Sequence, residues 1–463
     1  MAQPNVVFIM ADDTGYGDMG CYNPESLTPT PHIDRLADEG IRLTDAHSGC
    51  ALCTPTRYGL MTGRFYWRTF KRHSLVMPYD PPVIPPERLT LGRLFQQQGY
   101  RTGCIGKWHL GLWHRSKKLP KYQRHFTIIE DEIDFSKPID GGPVDLGFDY
   151  FFGTAGCSTS DAPYCFIRNR HTLGIPTART SDEMNSQPGV YPGLMAPDWV
   201  QEECDTGLAS EAVKFIHDCA EHHTGKPFFL YFPLSTPHIP WLPPKFIQGT
   251  SREGPRGDMN ALVDWCVGQV RDALEKTKQL DNTLFIFTSD NGPQKGENGH
   301  RSAGCYRGLK NSPYEGGHRV PFVARWPGTI QAGSTSDEAI SLTDMLATFA
   351  AFLGSELPCD EGEDSFNVLP VITGSGKGQD RPCLVADTGW HVCERGHFSM
   401  RAGRWKLIEK NEPERAAPEY EMFDMEEDPG EEKDLASGEP DRVKELRTLL
   451  DRARTAKGLR SLD

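Results

Sequence analysis

The sequence predicts an α/β protein built on a large, doubly wound, mixed but mostly parallel sheet flanked by helices, with a smaller α+β unit at its C-terminal end. Three observations carry that expectation. Short continuous apolar runs at residues 6–10, 228–232, 284–287 and 322–326 read as strands covered on both faces. Helical patterns lie between them, which is the alternation of a parallel sheet. After about residue 375 the texture changes to short strand-like pieces at 398–401, 405–408 and 421–423, followed by a charged helical stretch near 440–455. The glycine- and proline-containing stretch 370–382 is the natural linker. We therefore expect a catalytic domain over 1–375 and an antiparallel-sheet-plus-helix subdomain over 376–463.

Each helix has its own signals. Thr30 and Pro31 read as an N-cap followed by proline at the first helical position. A second helix spans 90–98 and stops at Gly99. Longer ones cover 207–223 and 258–279, the latter with Val263, Val267, Val270 and Leu274 at helical spacing. Another runs over 343–353 and ends at Gly354.

Composition narrows the function. Hydrophobic residues make up 37% and charged residues 25% of the 463, ordinary for a globular chain, and no apolar run has membrane-spanning length. The formal net charge of −14 argues against nucleic acid or an anionic membrane as partner. It also requires a local positive field to draw in any anionic substrate. The 13 cysteines are scattered and odd in number, which is no disulfide framework and points to a reducing compartment. As the sequence stands, with no signal-peptide pattern before residue 6, a cytoplasmic protein is expected; a periplasmic or secreted one is expected if a signal peptide has been removed.

Two acidic clusters follow apolar strands: Asp12-Asp13, and Asp290-Asn291 within Ser289-Asp290-Asn291-Gly292. Ligands of open α/β sheets sit at the carboxyl ends of strands. Three carboxylates and an amide oxygen gathered there would make an all-oxygen site for a hard cation such as calcium or magnesium. Taken singly, either cluster could equally cap a turn.

The sharpest signal is Cys53-Thr54-Pro55-Thr56-Arg57 followed by Leu60-Met61-Thr62-Gly63-Arg64. Pro55 suits a first helical turn and Gly63 a stop. Cys53 then lies at a helix N-terminus, where free N–H groups favour an anion, and Arg57 lies one turn on and can face the same site. Cys50 and Cys53 also have the spacing of a redox pair or half a zinc site, though no second ligand pair has zinc spacing.

The Cys-x-Pro-x-Arg and Leu-Met-Thr-Gly-Arg run resembles the signature of the type I sulfatases, members of the alkaline phosphatase-like superfamily. The resemblance extends in order along nearly the whole chain. It takes in Asn5 to Gly20, Thr30 to Leu36, Gly106-Lys107-Trp108-His109-Leu110-Gly111, Thr236-Pro237-His238, Thr288 to Gly292, Lys310 to Pro321, and Glu421 to Glu431. It implies that Cys53 is oxidised to formylglycine by a formylglycine-generating enzyme. It implies further that Asp12, Asp13, Asp290, Asn291 and the modified Cys53 hold a divalent cation, usually calcium. Arg57 would fix the formylglycine hydrate, Lys107 and Lys310 would bind sulfate oxygens, His109 would serve the hydrate, and His238 would face the leaving oxygen. Outside their motifs, the two lysines would read as surface residues and the two histidines as structural ones.

Two departures stand out: Asn311-Ser312-Pro313 where the family often has Gly-Thr-Thr, and His318 where an aliphatic residue is common. Two other readings stay open at this point. One is a phosphonate monoester or phosphodiester hydrolase of the same superfamily; the other is a catalytically silent protein that binds sulfated glycans. For an active sulfatase, the expected substrate is a sulfated carbohydrate or aryl sulfate. Two basic stretches would attract it to the pocket mouth: 113–124 with Trp113, His114, Arg115, Lys117, Lys118, Lys121 and Arg124, and 68–73 with Arg68, Lys71, Arg72 and His73. Trp390 and His391 are candidates to reach over the pocket.

Overall fold

The computed structural model of the protein describes residues 3–72, 74–115, 130–389 and 396–462. Its centre is a ten-stranded sheet. Five strands form the parallel middle: β1 (Asn5–Ala11), β2 (Arg101–Lys107), β3 (Tyr150–Thr154), β4 (Phe228–Pro233) and β5 (Thr283–Ser289). Their spatial order is β5-β1-β4-β2-β3. Beyond β5, Phe322–Arg325 and then Ile41–Leu43 each pair antiparallel, and Ser334–Ser336 closes that edge in parallel. Beyond β3 the sheet ends in two short antiparallel strands, Ile167–Arg168 and His171–Thr172.

The continuous apolar runs have a simple cause. All seven residues of β1 are buried, with Val6, Phe8 and Met10 in one hydrophobic cluster and Val7, Ile9 and Ala11 in the other. Alternate side chains leave opposite faces of a strand, so a strand covered on both sides needs apolar residues throughout. Helices Cys53–Thr62, Leu91–Gln97 and Met345–Phe352 cover one face. Pro31–Asp38, Cys204–His222 and Pro255–Lys276 cover the other.

Two details correct the sequence expectations. Thr30 does not cap the Pro31 helix with its hydroxyl; the Asp264 carboxylate, reaching from the Pro255–Lys276 helix, accepts from the N–H groups of His32 and Ile33. The 343–353 helix opens as a 3-10 turn, Leu342–Asp344, capped by Ser341, before the α-helix proper.

The C-terminal strands Leu384–Asp387, Phe398–Ala402, Trp405–Lys410 and Glu419–Asp424 form a separate antiparallel sheet in sequence order. Helix Pro440–Thr455 lays Leu446, Leu450 and Ala453 on it, and Phe65 and Phe366 join that core from outside the sheet. A polar seam crosses between the two sheets. Lys406 ion-pairs with Glu315 (2.8 Å) and Glu431 (2.7 Å), all three buried. His318 faces Lys406 (3.2 Å), Ser399 (3.2 Å) and His47 (2.9 Å), which explains a histidine where an aliphatic residue would find no polar partner.

Replacing Lys406 by methionine should leave buried Glu431 without its cation and Glu315 with Arg319 alone. We expect a loss of about 3–5 kcal/mol in equilibrium urea unfolding. A variant as stable as the parent would show that the seam is not a structural joint.

Candidate active site

The site forms where the carboxyl ends of the central strands meet the N-terminus of one helix. Asp12 and Asp13 follow β1, Lys107 ends β2, His238 lies just past β4, and Asp290 and Asn291 follow β5. Residue 106 must be glycine for this packing: its φ is +136°, and a Cβ there would lie 1.8 Å from the Pro233 carbonyl of the neighbouring strand. Helix Cys53–Thr62, buried throughout, begins at Cys53 and ends at Gly63 in the left-handed conformation.

The expected metal-site residues converge. Cys53 Sγ lies within 4.8 Å of carboxylate oxygens of Asp12 and Asp290. Asn291 donates its Nδ2 to Asp13 Oδ1 (2.7 Å) and to the Gly292 carbonyl (2.9 Å). Its Oδ1 and Asp12 Oδ1 are buried without a hydrogen-bond partner. Two orphaned oxygens in a cluster of three carboxylates fit the all-oxygen preference of a hard cation.

Three basic side chains balance the three carboxylates. Arg57 places Nε and Nη2 on Asp290 Oδ2 (3.1 and 2.8 Å), and its Nη2 is 3.4 Å from Asp12. Lys107 Nζ is hydrogen-bonded to Asp12, and Lys310 Nζ reaches Asp13 Oδ2 at 2.7 Å. The carboxylates are therefore not a bare, self-repelling set; the chain supplies their counter-charges. Burial would raise Asp12, but Lys107, His238 and Arg57 hold it down at about 2. Burial and then the Asp12 charge push Asp290 up to about 8. Two adjoining carboxyls are thus driven apart, as like charges in a dry site must be.

Cys53 does not pair with Cys50, and no described cysteine forms a disulfide. Its side chain contacts Cys157, and that contact, then the Lys107, His109 and Lys310 charges, draw the Cys53 thiol well below its usual range against the effect of burial. His109 sits at φ +60°, tied by its carbonyl to Thr54 Oγ1 (3.1 Å), and its Nδ1 is buried without a partner. His238 has Nδ1 2.8 Å from the Ile239 carbonyl, so Nδ1–H donates and Nε2 is left facing the pocket. Asn311 adopts φ +71°, which asparagine tolerates, and its N–H donates to the Ala51 carbonyl beside the nucleophile.

Cys53, His109, His238 and Lys310 line one cleft of about 440 Å³, together with Cys157 and Asp161. The last two escaped the sequence reading. They follow β3 as the metal-site residues follow their own strands, but sit in no recognisable motif.

The basic stretches divide differently from expectation. Arg68 is bound to Asp364 (2.9 Å) and to carbonyls of the C-terminal helix, and Lys71 is buried against Asp80. His114 is buried and pushed down to about 4 by desolvation, and Arg115 is hydrogen-bonded to Asp140. Arg68, Lys71 and Arg115 are thus each bound to an acidic side chain, and His114 is buried. Lys117, Lys118, Lys121, Arg124, His73, Trp390 and His391 lie outside the described residues.

The chain matches the sulfatase family over residues 4–355 and the family described as N-sulphoglucosamine sulphohydrolase, C-terminal, over 309–456. It is 30% identical to an N-acetylgalactosamine-6-O-sulfatase of Bacteroides thetaiotaomicron, covering 98% of this chain and 93% of that protein. Human arylsulfatase A is 34% identical over 87% of this chain and 74% of its own. Among solved structures, a Bacteroides thetaiotaomicron 6S-sulfatase described for the metabolism of multiple glycosaminoglycans superposes with a TM-score of 0.84 at 29% identity, covering 98% of this chain and 100% of that one.

If the orphaned oxygens serve a cation, calcium should raise the melting temperature by binding the folded state alone. Asp13→Asn and Asn291→Ala should each abolish that calcium-dependent shift, whatever they do to the melting point itself. A shift that persists in both variants would place the cation elsewhere.

Proposed function

Since this chain belongs to the sulfatase family and hydrolyses sulfate esters, we propose that it does so through a formylglycine made from Cys53, beside a calcium or magnesium ion, on a sulfated carbohydrate. The observation that carries this reading is the position of Cys53. It starts a buried helix, with its sulfur within 4.8 Å of Asp12 and Asp290 oxygens and in the fields of Lys107, His109 and Lys310.

Asp12, Asp13, Asp290 and Asn291 would hold the cation, which when bound supplies positive charge to the nucleophile and to the sulfate oxygens. The formylglycine made from Cys53 would supply, as its hydrate, one hydroxyl as the nucleophile toward sulfur and a second through which the sulfate could be released. Arg57 keeps Asp290 and Asp12 in place and faces Cys53 one helical turn away, where it steadies the nucleophile. Lys107, held by Asp12, and Lys310, held by Asp13 in the cleft lining, would provide the cationic groups for the equatorial sulfate oxygens. His238, oriented by the Ile239 carbonyl, presents Nε2 to the leaving oxygen and protonates it from its imidazolium form. His109, with an unengaged ring nitrogen beside the nucleophile, takes the proton when sulfate departs. A maturing enzyme is the partner this chemistry requires.

The similarity to an N-acetylgalactosamine-6-O-sulfatase and to a glycosaminoglycan 6S-sulfatase supports a sulfated sugar, with 6-O-sulfated hexosamines the first to test. The phosphonate or phosphodiester alternative finds no support in these likenesses. Nor does a silent binding protein, because the nucleophile and its charged surroundings are intact.

Two measurements test the mechanism. Peptide mass spectrometry of protein co-expressed with a maturing enzyme should show formylglycine at position 53. Active protein carrying an unmodified thiol would refute the nucleophile. His238→Ala should cut turnover of a sugar 6-sulfate by about 10²–10⁴-fold. Turnover of 4-nitrophenyl sulfate should fall much less, because that leaving group needs no proton. Equal losses on both substrates would remove His238 from the role of acid.

A further inference from the structure

The cleft contains a second group of potential ligands that the sulfatase chemistry does not use as a set. A ring nitrogen of His109, the Cys157 sulfur and a carboxylate oxygen of Asp161 all lie within 4.8 Å of one another, and all three residues are buried. The Cys157 N–H donates to Asp161 Oδ2 at 2.8 Å, which fixes the turn that holds sulfur and carboxylate together. The Cys157 sulfur contacts Cys53 and lies 3.7 Å from His238 Nε2. His109 Nδ1 has no hydrogen-bond partner.

Other buried clusters of histidine and carboxylate in this protein are already neutralised. Asp18, Glu253 and His300 surround Arg256, which pairs with Asp18 and Glu253 at 2.7 Å each. His47, Glu315 and His318 are served by Lys406 and Arg319. The His109–Cys157–Asp161 group has no hydrogen-bonded arginine or lysine among the described residues. Its donors also differ from those of the oxygen cluster: one nitrogen, one sulfur, one oxygen. That mixture selects a borderline ion of the zinc class and is poor for calcium or magnesium.

We propose that His109, Cys157 and Asp161 form a second, thiophilic metal site that takes zinc and, when filled, shuts off the sulfatase. Binding makes a metal–sulfur bond and sends the Cys157 thiol proton to His238 and then to solvent; no electron moves. Three protein ligands leave a fourth tetrahedral position open to water or a substrate oxygen. The ion engages His109 and stands against His238, so neither can move protons for the ester. The inhibition, though not the binding, rests on the sulfatase reading above. Cys157 itself is given no part in ester cleavage.

The test uses the full-length, matured enzyme with calcium in excess, so that the oxygen cluster is occupied. Cobalt(II) serves as the visible probe. Its titration should produce a thiolate-to-cobalt charge-transfer band saturating at one equivalent, and zinc should displace the ion and inhibit reversibly. Cys157→Ser should lose the band. The zinc concentration for half-inhibition, read against the variant's own zinc-free rate on an aryl sulfate, should rise roughly tenfold or more. Cys157→Ala, checked for fold by circular dichroism, provides a second variant should serine disturb the turn. A band that survives in these variants belongs to another cysteine, Cys53 included, and overturns the proposal. So does a parent enzyme with no band, or zinc inhibition that is equal in parent and variants. Protein that shows the Cys157-dependent band but cleaves no sulfate ester would keep the site and sink the sulfatase mechanism instead.

Discussion

Charge compensation in a water-poor cleft is the constraint on which the rest of this structure depends. Asp12, Asp13 and Asp290 are buried almost completely at the strand ends. Carboxylates so placed would cost several kcal/mol each if left unpaired. The chain meets this with Arg57, Lys107 and Lys310, each contributed by a different segment. The positions of helix Cys53–Thr62, of β2 and of the loop after β5 are therefore tied to one another through ions.

Compensation also orders the chemistry. Because Arg57 is bound to both Asp290 and Asp12, its guanidinium is held in a fixed position on the helix that begins at Cys53. The backbone accepts unusual conformations at Asp13, His109 and Asn311, all with positive φ and all bordering the site. Such strain clusters where geometry has been set by function, and the tightly packed strands around Gly106 hold it in place.

Much of this was legible in the sequence because motif and strand pattern coincide. Asp12-Asp13 and Asp290-Asn291 each follow an apolar run whose burial on both faces leaves no doubt about the strand, and Cys53-x-Pro-x-Arg defines a helix start by itself. Strands β2 and β3 were harder to see. β2 carries Gly103 and Gly106, weak strand formers, and their reason lies far away: Gly103 makes room for the Phe215 ring and Gly106 for the Pro233 carbonyl. Likewise the cap of the first helix is Asp264, some 230 residues downstream, which no local signal announces. Cys157 and Asp161 stayed hidden because a strand end identifies a site only when its residues announce a chemistry. In the basic stretches, the acidic partners of Arg68 and Lys71, Asp364 and Asp80, carry no local signal that would reveal them beforehand.

The seam between the two sheets bears on how such proteins can be recombined. Glu315 and His318 lie only a few residues beyond Lys310, and both are gripped by Lys406 from the second sheet. The loop that delivers Lys310 to the cleft is thus anchored at its far end by Lys406, which is not among the residues lining the cleft. A chimera that keeps this catalytic sheet but borrows its C-terminal unit from a relative would inherit the nucleophile intact and still misplace a cation at the pocket floor, unless Glu315, His318, Lys406 and Glu431 travel as one block.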